Sequence, residues 1–116
     1  MKLFLMRHGE ASWDAASDYD RRLTERGGQQ VLAQAEKLVR EMQAINRVFT
    51  SPIVRARQTC DLYLDAIAYQ GTVSQVDWLR HETSAGKAIE ALYTTLGNDF
   101  QGEVILFSHQ PLASQF

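Results

Sequence analysis

The sequence predicts an α/β fold: a three-layer sandwich around a mainly parallel sheet. Three observations predict it. Two apolar runs, Leu3-Phe4-Leu5-Met6 and Val104-Ile105-Leu106-Phe107, lack alternation, as expected of strands covered on both faces. Between them, short strand-like segments alternate with stretches whose apolar residues recur at helical spacing. A length of 116 residues allows one domain, residues 1–116, with a single modest core.

The elements follow in order. Leu3 to Met6 reads as a fully buried strand, ended by Gly9. Gly9 to Arg22 has no period and many Asp, Ser and Ala residues, so it is a loop of functional length. Thr24 is the N-cap of a helix whose apolar stripe is Val31, Leu32, Ala35, Leu38, Val39 and Met42. Gly27 and Gly28 weaken helix propensity near its start, which implies close backbone packing there. Arg47 to Thr50 is a second strand, and Ser51-Pro52 begins a helix that buries Ala56, Cys60, Leu64 and Ile67 and stops near Gln70-Gly71. Thr72 to Val76 is a third strand near an edge. Residues 85–96 form a helix on Ala85, Ile89, Leu92 and Leu96, closed by Gly97-Asn98. After Val104 to Phe107, Pro111 starts a helix that is cut off at Phe116; six residues cannot make a stable helix alone, so either the natural protein is longer or its tail packs in another way.

Composition narrows the function. With 45% hydrophobic and 22% charged residues, the chain is an ordinary globular protein. No apolar run is long enough to cross a bilayer, and the amino terminus lacks a signal-peptide core, so cytoplasm is the expected compartment. Cys60 is the single cysteine, which excludes an intramolecular disulfide framework and thiolate-rich metal sites. Residues 1–60 carry ten Lys and Arg against seven acids, whereas residues 61–116 carry two against seven. An acidic body with a more cationic first half argues against broad nucleic-acid binding and suits a local anion site.

In open parallel sheets, ligands meet the carboxyl ends of the strands. Those ends carry Arg7-His8-Gly9-Glu10, then Ser51-Pro52 with Arg55 and Arg57 just beyond, then Ser108-His109-Gln110-Pro111. Arg7, Arg55, His8 and His109 thus converge from three strands. Guanidinium forks match phosphate oxygens in pairs, and helix starts add N–H donors. A neutral imidazole beside them is a nucleophile, a proton carrier or a metal ligand. Metal is the weaker choice, because arginines repel cations and no carboxylate cluster lies near. Each histidine taken singly has a plainer alternative as a satisfied polar group at a strand end.

These residues resemble a known family. Leu5-Met6-Arg7-His8-Gly9-Glu10 looks like the Arg-His-Gly signature of the histidine phosphatase superfamily, with its phosphoglycerate mutase-like fold. Arg21-Arg22-Leu23-Thr24-Glu25-Arg26-Gly27 is similar to its Leu-Thr-x-x-Gly element, and Ser51-Pro52-Ile53-Val54-Arg55-Ala56-Arg57-Gln58-Thr59 to its Ser-Pro-x-x-Arg-x-x-Gln-Thr element. Phe107-Ser108-His109-Gln110-Pro111 resembles the second-histidine element of the small, SixA-type phosphohistidine phosphatase branch. The resemblance also implies that the domain lacks its last helix and strands.

The resemblance implies a phosphatase in which His8 attacks phosphorus and Arg7, Arg55 and His109 hold the non-bridging oxygens. A hydrogen bond from the other His8 nitrogen, to a carbonyl near Gly9, would fix the tautomer. Arg21 and Ser51 are further substrate-binding residues, while Arg22 and Arg57 are read as surface charges. Glu82 is the candidate general acid, with His81 beside it; an exposed charged loop is the alternative for both. A leaving imidazole needs little protonation, so a missing acid suits phosphohistidine. The implied partner is a phosphorylated histidine phosphotransfer domain of two-component signalling, or a phosphotransferase-system protein. Neither metal nor organic cofactor is required, and no nucleic acid or membrane is involved. The rival readings are a small-molecule phosphomonoesterase of the same superfamily and a non-catalytic phosphohistidine-binding module.

Overall fold

The computed structural model describes residues 2–80 and 84–108. Its elements are β1 (Lys2–Arg7), α1 (Glu25–Leu38), β2 (Ile45–Thr50), α2 (Val54–Ala66), β3 (Val73–Gln75), α3 (Ala85–Leu96) and β4 (Glu103–Ser108), with a single 3-10 turn at Asp77–Leu79. The strands form one parallel sheet in the order β1-β4-β2-β3. Alternate side chains of the central strands feed opposite faces. Val48, Ile105 and Phe107 pack with Val31, Ala35, Cys60, Tyr63 and Leu64 of α1 and α2. On the other face, Phe49, Val104 and Leu106 pack with Leu79, Ala88 and Leu92. The result is the expected α/β sandwich of three layers.

The two apolar runs differ in role. β4 lies between β1 and β2, and its residues from Val104 to Ser108 are buried. Leu3 to Met6 is only half-buried, contrary to expectation, because among the described strands β1 pairs with β4 alone. A short apolar run does not say whether both edges of a strand are paired. β3 is the opposite edge, as the alternating Thr72 to Val76 segment implies.

Local sequence explains most boundaries. The Thr24 hydroxyl accepts the Gly27 N–H at 2.9 Å and caps α1. Val31 and Ala35 form its buried stripe, but Leu32 is 42% exposed, and Met42 reaches the core from turns beyond the helix end. α2 starts at Val54, later than Ser51-Pro52 suggests. Pro52 and Ile53 instead form a bend; before it the Ser51 N–H donates to Phe107 O at 3.0 Å, and within it the Ile53 N–H donates to Ser51 Oγ at 3.4 Å. β2 begins at Ile45, two residues before the expected Arg47. α3 matches its expected span, with Ser84 as cap and Gly97 at φ 86° closing it, although Ala88 and Leu92 are buried and Ile89 only half-buried. The helix expected from Pro111 lies outside the described residues. Among the described residues, no helix is long and apolar enough to cross a membrane.

Candidate active site

The carboxyl ends of β1, β4 and β2 are tied together by backbone. Arg7 pairs in register with Ser108, the His8 N–H donates to Ser108 O at 3.2 Å, and the Ser51 N–H to Phe107 O at 3.0 Å. The segments after β1 and β2 are thereby fixed against the same strand.

His8 is held from both sides. Its Nδ1 lies 2.6 Å from Gly9 O, the hydrogen bond expected from the sequence. A carbonyl only accepts, so Nδ1 carries the proton and Nε2 keeps its lone pair. Nε2 in turn accepts from Arg55 Nε at 3.2 Å. Arg55 comes from the first turn of α2 and is buried, with 5% exposure. Its Nη1 donates to Asp18 O at 2.7 Å and its Nη2 to Asp18 Oδ2 at 3.2 Å. Thus His8 and Arg55, 47 residues apart, share one hydrogen bond at the sheet edge.

The turn that carries His8 is packed backbone against backbone. A Cβ on Gly9 would collide with Gly27 O, and one on Gly27 with Glu10 O, which accounts for glycine where α1 passes the loop. Gly28 has no such constraint, its nearest neighbour being Leu62 Cδ1 at 3.7 Å. Two α2 side chains complete the support. The Gly9 N–H donates to Thr59 Oγ1 at 3.2 Å, and the Leu23 N–H to Gln58 Oε1 at 2.7 Å. The sequence contained the Gln58-Thr59 pair without assigning it a role. A polar pair one turn after Arg55, on a helix lining the site, was the available signal.

The remaining expected residues are placed differently. Arg7 is exposed and, with His8 and Gly9, lines a cavity of about 380 Å³ that reaches Gln30, Gln34 and Tyr63. Arg21 is half-buried and bonded to its own loop: Nε donates to Ser12 O at 2.9 Å, Nη2 to Ala11 O at 3.2 Å, and Nη1 to Asp18 Oδ1 at 3.4 Å. Ser51 is fully buried, with its hydroxyl engaged in the bend. Arg22 is exposed, as a surface charge should be. Arg57 departs from that reading: it is half-buried, and its Nε is buried with no partner among the described residues. His109, Glu82 and His81 lie outside the described residues. Asp18 was not anticipated, because a loop aspartate carries no periodic signal.

Cys60 does not compete as a nucleophile. Burial first, then the charge of Asp61, pushes its thiol from 9.0 up to about 12, and it faces the core. Among the described residues, no group of three or more His, Cys, Asp and Glu is placed to hold a metal ion.

Comparison with known proteins gives the family. The model of the histidine phosphatase superfamily (branch 1) matches residues 3–113. Phosphohistidine phosphatase SixA of Escherichia coli K12 is 35% identical over 114 residues, covering 97% of this chain and 69% of that protein. A 2,3-bisphosphoglycerate-dependent phosphoglycerate mutase of Haemophilus influenzae PittEE is 33% identical over 91 residues, covering 74% of this chain and 40% of the mutase. The solved structure of the protein histidine phosphatase SixA complexed with tungstate superposes with a TM-score of 0.87 at 32% identity, over 97% of this chain and 72% of that one. On the extent of the family match and the identity to SixA over nearly the whole of this chain, the chain belongs to the histidine phosphatase superfamily, branch 1, and is a phosphatase.

Proposed function

We propose that this phosphatase hydrolyses phosphohistidine on a signalling or phosphotransfer protein, through a phosphoenzyme at His8 Nε2. The observation that carries the reading is the state of His8: Nδ1–H is anchored on Gly9 O and the Nε2 lone pair faces the Arg55 guanidinium. An imidazole in that tautomer is ready to attack an electrophile from Nε2 without losing a proton first. Arg55 turns its donors onto the phosphoryl oxygens, joined by Arg7 and by His109, the second histidine of the motif. Arg21 and Ser51 support this set from the loop and the bend.

The steps balance simply. The His8 Nε2 lone pair forms a bond to phosphorus as the substrate's phosphorus–nitrogen bond breaks, and the substrate ring, already carrying a proton on its other nitrogen, keeps that electron pair and leaves as neutral imidazole. Water then attacks the phosphorus of phospho-His8, releases inorganic phosphate and restores the neutral ring. The leaving imidazole is far less basic than an alkoxide, so the first step needs little acid assistance. Glu82 is the residue available for that assistance, should the substrate be a phosphate ester instead. The relation to SixA, a phosphohistidine phosphatase whose structure holds the tetrahedral oxyanion tungstate, supports the same substrate class.

Rapid mixing with a phosphorylated histidine phosphotransfer domain is the test. An acid-labile, base-stable phosphoryl group should appear transiently on the wild-type chain and be absent from a folded His8→Ala variant, which should also lose turnover. Undiminished turnover by His8→Ala would overturn the proposal. Faster hydrolysis of sugar or aryl phosphates than of the phosphoprotein would move the substrate to small molecules.

A further inference from the structure

All three nitrogens of the Arg55 guanidinium are engaged within the chain, one by His8 and two by Asp18. Asp18 is the only anion among these partners, and it belongs to the exposed loop after β1. Its carboxylate meets two arginines among the described residues: Oδ2 is 3.2 Å from Arg55 Nη2, and Oδ1 is 3.4 Å from Arg21 Nη1. The Arg55 side chain is 6% exposed, whereas that of Asp18 is 47% exposed. Arg21 in turn stacks on Trp13, its guanidinium carbon 3.5 Å from the ring centre, and Trp13 is 82% exposed.

We propose that Asp18 is a specificity-determining residue: its carboxylate is a tethered competitor that a phosphoryl group must displace from Arg55, and that a monoanionic carboxylate cannot displace. The inference rests on the assignment of Arg55 as a phosphoryl ligand. A free or partner-borne carboxylate offers Arg55 nothing that Asp18 does not already supply. It must also meet the entropy cost of association, which a tethered group avoids. A dianionic phosphoryl group brings more charge and a third oxygen, and it can engage Arg7 together with Arg55. The site therefore selects phosphoryl groups over the acidic side chains that crowd most protein surfaces. On displacement, Asp18 does not lose all its stabilisation, because Oδ1 keeps Arg21 as partner and nearly half of the side chain is exposed. The exchange should also alter the surroundings of Trp13, which reaches Asp18 through Arg21.

Calorimetric titration of the full chain with inorganic phosphate and with formate, for wild type and Asp18→Asn, tests the idea. A half-exposed charge pair is a modest competitor, so Asp18→Asn should bind phosphate about three- to tenfold tighter. It should also bind formate measurably, so that the preference for phosphate over formate falls. A residue that merely held Arg55 in place would give the opposite result, weaker phosphate binding on substitution. Unchanged or weaker phosphate binding by Asp18→Asn, with the wild type still binding, overturns the inference and leaves the functional reading standing. Absence of phosphate binding in both proteins overturns the two together. Should Asp18→Asn fail to fold, Trp13 emission in a Trp78→Phe chain retaining Asp18 gives the answer: it should change as phosphate saturates, and a constant signal sinks the proposal.

Discussion

After β2 the chain turns within Ser51, Pro52 and Ile53, all buried or half-buried and fastened to β4 through Phe107 O. After β1 it runs from Gly9 to Arg22, mostly exposed beyond Ser12, and it is fastened largely by polar contacts of Asp18 and Arg21. Both segments bring an arginine toward the site. The short bend aims Arg55 from a buried helix, whereas the loop supplies Arg21 from a surface held by its own carbonyls. The long segment is itself two regions, since its first residues, Gly9 and Glu10, are locked against Gly27 and Thr59. The proposed nucleophile His8 thus adjoins the tightly packed part of the segment, and the Asp18 contacts proposed to exchange lie in its exposed part.

Substitutions can break or sharpen that contrast. The largest effect is expected at Arg55, the buried guanidinium: Arg55→Ala should lower kcat/KM by about 10²- to 10³-fold, as for loss of a buried donor to transition-state charge. Arg21→Ala should cost less than Arg55→Ala in the same assay, and equal losses would erase the distinction between the two segments.

Next come the neighbouring glycines of α1. Gly27→Ala drives a methyl into Glu10 O and should destabilise the fold by about 2–4 kcal/mol, seen as a lowered denaturant midpoint. Gly28→Ala, with open space toward Leu62, should be neutral or should stabilise by up to about 1 kcal/mol through helix propensity. Similar midpoints for the two variants would show that the turn is not locked as described.

The smallest effect concerns the core below the site. The Cys60 thiol is raised from 9.0 to about 12, so between those values the folded chain binds more protons than the unfolded one. Stability is therefore expected to fall as pH rises above 9, and Cys60→Ala should flatten that alkaline slope in denaturant titrations. Tyr63, raised from 10.0 to about 12 chiefly by burial and then by the charge of Glu41, adds a slope of the same sign.

Much of this was legible in the sequence because the signals were local. Thr24 announces a helix start, the Val104 to Phe107 run announces a buried strand, and Arg7-His8-Gly9 at a strand end announces where chemistry belongs. What escaped depends on partners distant in sequence. Nothing in Leu3 to Met6 tells that β1 has one paired edge, and nothing around Asp18 tells that it meets Arg55 from 37 residues away. Ser51-Pro52 looks like a helix start because proline favours a first turn. The tie to Phe107 delays the helix to Val54.

The placement of β4 has a consequence for how the molecule is made. It follows the other described strands in the chain, yet it lies between β1 and β2, which do not pair with each other. β1 and β2 therefore have no strand between them during synthesis until Ser108 has left the ribosome, and the nascent strands keep open edges until then. Contacts closed so late and across such long loops slow folding, so this phosphatase should mature as one late, cooperative event that needs protection from aggregation beforehand.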